Sequence, residues 1–259
     1  MEEEAILVIN NVSKYFGGLK ALNKVTIEIP EKCIVGLIGP NGSGKTTLFN
    51  VITGFYPPDE GKIMYKTLSG NFVDITGLNP HEVFKMGVIR TFQIPRLFPS
   101  LTVLENLLIT PLNQRGESVV NSLRRSKWLR EEEELVHRAV NLLKTFNRLD
   151  IASKYPSELS IGDIKLIETL RGLMTPARLY LLDEPLAGLD LHVARSLLRL
   201  IWKLNKNHGL TFLIVEHRID LLMEIADFIY VLHNGSLLAS GTPSEIINDF
   251  KVVRAYIGE

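Results

Sequence analysis

The sequence predicts an α/β fold with a mainly parallel sheet, and three observations carry that expectation. Short apolar runs of buried-strand type recur at 33–38, 178–184 and 210–217. A glycine-rich turn leads from the first into a helix-forming segment, and the amphipathic stretch "HVARSLLRLIWKLNKN" separates the second from the third. Strands joined by helical crossovers of this length lie parallel. With 259 residues the chain can bury a substantial core. Lys plus Arg and Asp plus Glu both number 29, so net charge gives no pull toward nucleic acid or an anionic surface. Cys33 stands alone, which excludes an intrachain disulfide and a cysteine-rich metal site.

The elements follow in order. "AILVIN" (5–10) and "VTIEI" (25–29) are rich in β-branched residues and read as strands, with "CIVGLI" (33–38) as a buried one. A helix is expected from Gly44 through "KTTLFNVITG". "GKIMY" and "NFVDIT" read as a hairpin about Ser69-Gly70, and the "LSGN" between them as its turn. From Pro95 to Asn147 the pattern becomes helical. Thr102 and Glu105 form a capping-box signature, and the Arg and Glu blocks at 124–134 read as a solvated face with i,i+4 pairs such as Arg130 with Glu134. The α/β pattern returns with "RLYLLDE" (178–184) and "LTFLIVEH" (210–217), followed by two strands about Asn234-Gly235 and short closing helices. No run approaches the roughly 18 apolar residues of a membrane span. The acidic start "MEEE" differs from a basic secretory leader, so membrane attachment is expected only through a partner.

The chemistry begins at "GPNGSGKT", Gly39-Pro40-Asn41-Gly42-Ser43-Gly44-Lys45-Thr46. It matches G-x-x-x-x-G-K-[ST] between an expected strand and an expected helix, the context that a phosphate-binding loop requires. Its glycines let backbone N–H groups wrap phosphate oxygens at a helix N-terminus. Lys45 supplies charge to the β- and γ-phosphates, Thr46 a hydroxyl for Mg²⁺, and Thr47 follows in the same turn. In "LYLLDEP", a buried strand ends on Asp183 and Glu184. Adjacent strand residues point to opposite sides, so the pair divides its work: Asp183 for Mg²⁺, Glu184 for the attacking water. His217 ends another apolar strand, where a histidine in an α/β sheet faces the ligand crevice. A structural role for a lone histidine remains the competing reading.

In this order the residues resemble the nucleotide-binding subunit of an ABC transporter, over essentially the whole chain. The resemblance implies a P-loop NTPase of ABC type: a parallel-sheet core with an antiparallel β subdomain, both from 1–93 and 159–259, and a helical subdomain inserted at 94–158. It implies ATP and Mg²⁺ as ligands. Phe16, with Tyr15 beside it, corresponds to the aromatic that stacks on adenine, and Gln93 in "RTFQ" to the glutamine that reaches Mg²⁺ or the attacking water. Glu184 corresponds to the general base, His217 to the switch histidine, and "AGLD" ending at Asp190 to the D-loop.

"LSIGD" (Leu159–Asp163) stands where the family has its LSGGQ signature. Ser160 and Gly162 remain; Ile161 replaces a glycine and Asp163 a glutamine. Asp163 reads either as an acceptor for a ribose hydroxyl or as part of a helix cap with Ser160, and weaker closure on nucleotide is the expected consequence of the altered spelling.

"FGGLKALNKV", "RTFQIPRLFPSLTVLENLL", the insertion containing Trp128 and "VVRAYIGE" resemble the ATPases of branched-chain, hydrophobic amino acid uptake. Urea-importing and lipopolysaccharide-exporting ATPases close similarly, and a soluble, non-transport ABC ATPase is the further alternative. The implied partners are a second ABC ATPase subunit, membrane permease subunits and, indirectly, a substrate-binding protein, with no nucleic acid. The implied location is the cytoplasmic face of the membrane. Arg96, Leu97 and Phe98 are expected in the groove that meets a permease, with core packing of Leu97 and Phe98 the other reading.

Overall fold

The computed structural model describes residues 4–67, 69–91, 97–110, 125–175 and 177–257. They form two compact units: residues 1–90, 177–187 and 198–259 make unit 1, and residues 91–176 and 188–197 make unit 2. The expected insertion at 94–158 falls within unit 2, which also takes in residues on to 176 and the stretch 188–197.

Unit 1 contains two sheets. The first is antiparallel, in the order β2-β1-β4-β5, from β1 (Ala5–Phe16), β2 (Leu19–Pro30), β4 (Glu60–Lys66) and β5 (Phe72–Asp74). β1 and β2 run well beyond the expected 5–10 and 25–29, because Phe16 pairs with Leu19 across a two-residue Gly17-Gly18 turn. Irregular register along this pair, with Asn11 and Lys24 at positive φ, absorbs the polar residues that hid the extension. β4 and β5 form the expected hairpin, whose turn is closed by Gly70 N–H donating to the Thr67 carbonyl at 2.9 Å. Leu68, the first residue of "LSGN", lies outside the described residues.

The second sheet has the order β10-β9-β3-β8-β7-β6, from β3 (Ile34–Ile38), β6 (Val88–Arg90), β7 (Leu179–Asp183), β8 (Thr211–Val215), β9 (Phe228–His233) and β10 (Ser236–Gly241). It is parallel from β6 to β9. β10 returns antiparallel through Asn234-Gly235, both at positive φ as a tight hairpin turn needs. Every residue of β3, β7 and β8 is buried, which is why these strands read as unbroken apolar runs. β6 and α2 (Pro80–Lys85) had no counterpart in the sequence reading, since three- and six-residue elements give no readable period.

Helices are numbered in chain order. In unit 1, α1 (Lys45–Ile52) puts Leu48, Phe49, Val51 and Ile52 into one core with residues of both sheets, among them Ile9, Tyr65, Leu37 and Leu181. Gly36, in the middle of β3, leaves room for its neighbours: a Cβ there would lie 2.4 Å from Ile229 Cδ1 on β9 and 2.9 Å from Leu222 Cδ2 on α7 (Ile219–Met223). α8 (Pro243–Asn248) and α9 (Phe250–Ile257) close the chain. α6 (Leu191–His208) carries residues of both units.

In unit 2 the expected capping box opens α3 (Val103–Leu108): Glu105 N–H donates to Thr102 Oγ1 at 3.3 Å, and Thr102 N–H to the Glu105 carboxylate at 2.8 Å. Buried Asn106 ties down the preceding loop, accepting from Phe98 N–H and donating to the carbonyls of Phe98, Leu101 and Thr102. α4 (Arg125–Thr145) carries the expected Arg130–Glu134 pair at 3.4 Å. α5 (Ile161–Met174) buries Leu166, Ile167, Leu170, Leu173 and Met174.

Gly36→Ala should destabilise the protein by about 1–3 kcal/mol through overpacking. Ile229→Val, which deletes the methyl that the new Cβ would strike, should recover part of that loss in the double variant. Chemical denaturation of the three variants measures both terms.

Candidate active site

Parallel register brings the carboxyl ends of three strands together. Leu37 of β3 and Asp183 of β7 both pair with Val215 of β8, so Gly39, Glu184 and Glu216-His217 leave the sheet side by side. In an open α/β sheet this edge is where ligands bind.

After β3 the chain turns through 39–44 into α1. Only glycine fits at Gly39, where φ is 152° and a Cβ would lie 2.1 Å from the Leu232 carbonyl oxygen. Gly44 stands at the start of α1 with φ 104° and offers no side-chain cap, which leaves the first N–H groups of the helix available to an anion. Lys45 folds back into the loop. Its Nζ donates to the carbonyls of Gly39 at 2.7 Å and Pro40 at 3.0 Å, with Ser43 Oγ at 3.4 Å. Burial pushes the Lys45 ammonium below its ordinary value, against the opposing charges of Glu184 and Asp183. Thr46 is exposed and Thr47 half-buried on the same turn, and Asn41 and Gly42 form the loop's exposed rim.

Asp183 is almost fully buried. Burial pushes its carboxyl above the ordinary carboxylate range, and Arg90 opposes the shift by donating from Nη2 at 2.9 Å. Arg90 also donates from Nη1 to Asn50 at 2.6 Å and to Thr53 at 3.3 Å, at the end of α1, with its guanidinium 5.5 Å from the Phe49 ring centre. One cation thus joins the acid at the end of β7 to the helix that follows the glycine loop.

Glu184 leaves the strand with φ 52°, a left-handed backbone that is unfavourable for a residue with a Cβ. The turn is fixed by Glu184 N–H donating to the Val215 carbonyl at 2.9 Å and Leu186 N–H to the Glu216 carboxylate at 2.6 Å. Glu184 Oε1 then lies 3.1 Å from His217 Nε2. Glu216 is buried and also accepts from His217 N–H at 3.1 Å; burial pushes its carboxyl above the ordinary range, and these backbone donors only partly oppose the shift. Tyr256 is partly exposed, and burial of the rest pushes its phenol up to about 12, opposed by the backbone of Gly39.

The glycine loop, Asp183, Glu184 and His217 therefore assemble on one edge of unit 1. Phe16 belongs to the same unit, exposed over part of its ring and edge-on to Tyr56 with centroids 5.2 Å apart; Tyr15 beside it is half-buried. Ser160, Gly162, Asp163 and Asp190 belong to unit 2. Ser160 caps α5, accepting from Asp163 N–H at 3.1 Å, and Asp190 accepts from Val193 N–H at 2.9 Å at the start of α6. Gln93 and Arg96 lie outside the described residues. In unit 2, Leu97 is half-buried, and Phe98 is exposed with the Arg171 guanidinium 6.0 Å from its ring centre. Arg90, Glu216 and Tyr256 were not picked out from sequence. An arginine ending a three-residue strand and a glutamate inside an apolar run have no spacing signal, and Tyr256 meets Gly39 only through the fold.

Residues 22–187 match the family model described as ABC transporter. This chain belongs to the ABC transporter family. A probable branched-chain amino acid transport ATP-binding protein, LivG, of Archaeoglobus fulgidus is 45% identical over 254 residues, covering 98% of this chain and 95% of that protein. The high-affinity branched-chain amino acid transport ATP-binding protein LivG of Salmonella typhimurium is 41% identical, with 99% of each covered. The crystal structure of a nucleotide-free ATP-binding cassette from an ABC transporter superposes with a TM-score of 0.81 at 40% identity, covering 99% of this chain and all of that one. A dimeric bacterial ABC transporter cassette gives 0.76 at 28% identity, covering 92% and 98%. The fold is that of an ABC ATPase cassette, as the motif order implied, and this ABC protein is an ATPase of the type that powers transport.

Replacing Arg90 with Met in this ABC cassette should cost about 3–5 kcal/mol, because it leaves the Asp183 carboxylate buried without its cation. Asp183→Asn added to Arg90→Met should return much of that loss. Urea denaturation of the two variants and the parent checks this.

Proposed function

We propose that this chain is the ATP-hydrolysing subunit of an importer for branched-chain or other hydrophobic amino acids. The observation that carries the catalytic part is the placement of Glu184 and His217, 3.1 Å apart, on the same sheet edge as the Lys45 loop. What supports the substrate class is the relatives' own description as branched-chain amino acid transport ATP-binding proteins over nearly the whole chain.

In this reading the loop N–H groups and Lys45 hold the β- and γ-phosphates, and Lys45 exchanges its carbonyl partners Gly39 and Pro40 for phosphate oxygens. The open face of Phe16 receives the adenine ring, with Tyr15 at its side. Glu184 accepts the proton of the attacking water. His217 orients Glu184 and faces the γ-phosphate. Gln93, in the "RTFQ" that resembles the family's glutamine motif, completes the water site. Ser160 and Gly162, with Asp163 in the same turn and Asp190, act on a nucleotide held by a second ATPase subunit, identical or related.

The donor set fits Mg²⁺. Thr46 and Asp183 offer hard oxygens, and among the described residues no three His, Cys, Asp or Glu side chains form a cage that would hold a metal alone. Mg²⁺ sites of this kind use one or two protein oxygens plus the substrate phosphates. Bound there, with Gln93 as the further ligand that the resemblance implies, the ion would neutralise phosphate charge.

No helix of the described residues is long and apolar enough to cross a membrane. Association with permease subunits, and through them with a substrate-binding protein, places this subunit on the cytoplasmic face of the membrane. Leu97 and Phe98, with Arg96, serve as part of the permease-facing surface.

Glu184→Gln should retain ATP binding while turnover falls by roughly a hundredfold or more, as loss of a positioned general base predicts. Phosphate release and fluorescent-nucleotide binding separate the two effects, and turnover near the parent rate would remove Glu184 from the base role. Lys45→Ala should abolish turnover and weaken nucleotide binding; unchanged steady-state hydrolysis would refute the phosphate-loop assignment.

A further inference from the structure

The signature turn of unit 2 holds a charge arrangement that the proposed chemistry does not use. Ser160 caps α5 in extended backbone, and its hydroxyl both accepts from Asp163 N–H at 3.1 Å and donates to Asp163 Oδ2 at 2.7 Å. The other carboxylate oxygen, Oδ1, accepts from Arg148 Nε at 2.6 Å. Arg148 comes from the link between α4 and the turn at 149–151, just after Asn147 at φ 52°. Its backbone is held at both sides: Arg148 N–H donates to the Leu143 carbonyl at 2.9 Å, and Ile151 N–H donates to the Arg148 carbonyl at 3.3 Å. The pair is partly shielded, with side-chain exposures of 32% for Arg148 and 20% for Asp163. Asp163 is held below the ordinary carboxylate range: burial pushes it up, but the Ser160 and Arg148 bonds outweigh that.

Both oxygens of Asp163 are thus engaged within the unit, one by a hydroxyl and one by a cation. A carboxylate in this turn has two costs for phosphate binding. Its charge repels the phosphate, and it competes for the Ser160 proton that a phosphate oxygen would otherwise accept. An arginine bonded to the same carboxylate reduces both costs, since it cancels the charge and draws electron density toward Oδ1.

We propose that Arg148 is a positioning residue of the signature turn: paired with Asp163, it makes a turn that carries an acid compatible with an anionic phosphate and fixes the Ser160 hydroxyl that meets it. This rests on the reading of 159–163 as the signature loop. Arg148 acts through Asp163 and touches no nucleotide itself.

The test uses the full chain in a Glu184→Gln background. It measures the ATP concentration that gives half-maximal association with a second copy, or with the ATPase partner purified alongside, by light scattering. Arg148→Ala should raise that concentration by roughly tenfold, the scale of an uncompensated like charge at an interface. Asp163→Asn should lower it, and the Arg148→Ala/Asp163→Asn double variant should return to within about threefold of the parent background. Raising salt from 50 to 500 mM should shrink the Arg148→Ala defect, because screening weakens a partly exposed charge. Packing alone predicts neither the rescue nor the salt effect. ATP binding to the isolated variants reports on the glycine loop and should be unchanged, which also shows that they fold.

An Arg148→Ala chain that associates at the parent's ATP concentration, or whose defect persists in the double variant, overturns the assignment. Gly162→Asp separates this from the underlying reading. If Gly162→Asp, or the Glu184→Gln chain itself, shows association indifferent to the signature turn or to ATP, the signature reading falls and the Arg148 role with it. If Gly162→Asp abolishes association while Arg148→Ala changes nothing, only the Arg148 role falls.

Discussion

The parallel pairing of β3, β8 and β7 is the constraint on which the catalytic unit depends. Hydrogen-bond register fixes Leu37, Val215 and Asp183 at matching heights, and the chemistry lies one or two residues beyond them. A slip of one residue in any of these strands would exchange the faces of its side chains and separate Asp183 from α1. Burial enforces the register. All residues of the three strands are inaccessible, so no other pairing satisfies their backbone groups without exposing apolar surface or opening a void. Gly36 shows how tight the fit is, since the space for its missing side chain is taken by Ile229 and Leu222.

Placing charge at the end of such a sheet is costly, and the structure meets that cost with named partners. Asp183 has Arg90, Glu216 has the N–H groups of Leu186 and His217, and Lys45 has the carbonyls of Gly39 and Pro40. Only part of this compensation is fixed. Arg90 is bound by side chains of two elements, α1 with its C-terminal cap and β7, whereas the Lys45 partners are loop carbonyls that a phosphate would replace in the proposed reaction. The distinction separates groups that hold the site from groups that act in it. In the proposed reaction Glu184, turned out of the strand by a left-handed backbone and resting on His217, belongs to the second kind.

Unit 2 follows the same physics at a helix start. Ser160 caps the first turn of α5 by accepting from Asp163 N–H, its hydroxyl donates back to the Asp163 carboxylate, and Arg148 reaches that carboxylate from a link that no local pattern connects to it. The departure of "LSIGD" from the family spelling thus comes with a compensating cation 15 residues earlier. The cap and the proposed signature turn are one object, so the two readings of Asp163 meet on the same atoms. The ribose role would have to draw on oxygens that Ser160 and Arg148 already occupy.

The sequence by itself determined the parallel core, the glycine loop between β3 and α1, the acids at the end of β7, the histidine after β8 and the capping box at Thr102. Each is set by neighbours within a few residues, through strand burial, glycine geometry or helix capping, and such short-range constraints leave a pattern in the order of residues. The same locality explains the shortfall at β1 and β2, whose polar stretches are carried by irregular pairing with each other and not by periodicity. Only the tertiary structure decided that Arg90 serves Asp183, that Glu216 staples the turn at Leu186, that Tyr256 meets Gly39 and that Arg148 answers Asp163. These are pairings of charge and hydrogen bonds between segments from 15 to more than 200 residues apart. Electrostatic complementarity acts through space with no period along the chain, so it becomes visible only when folding has brought the partners together.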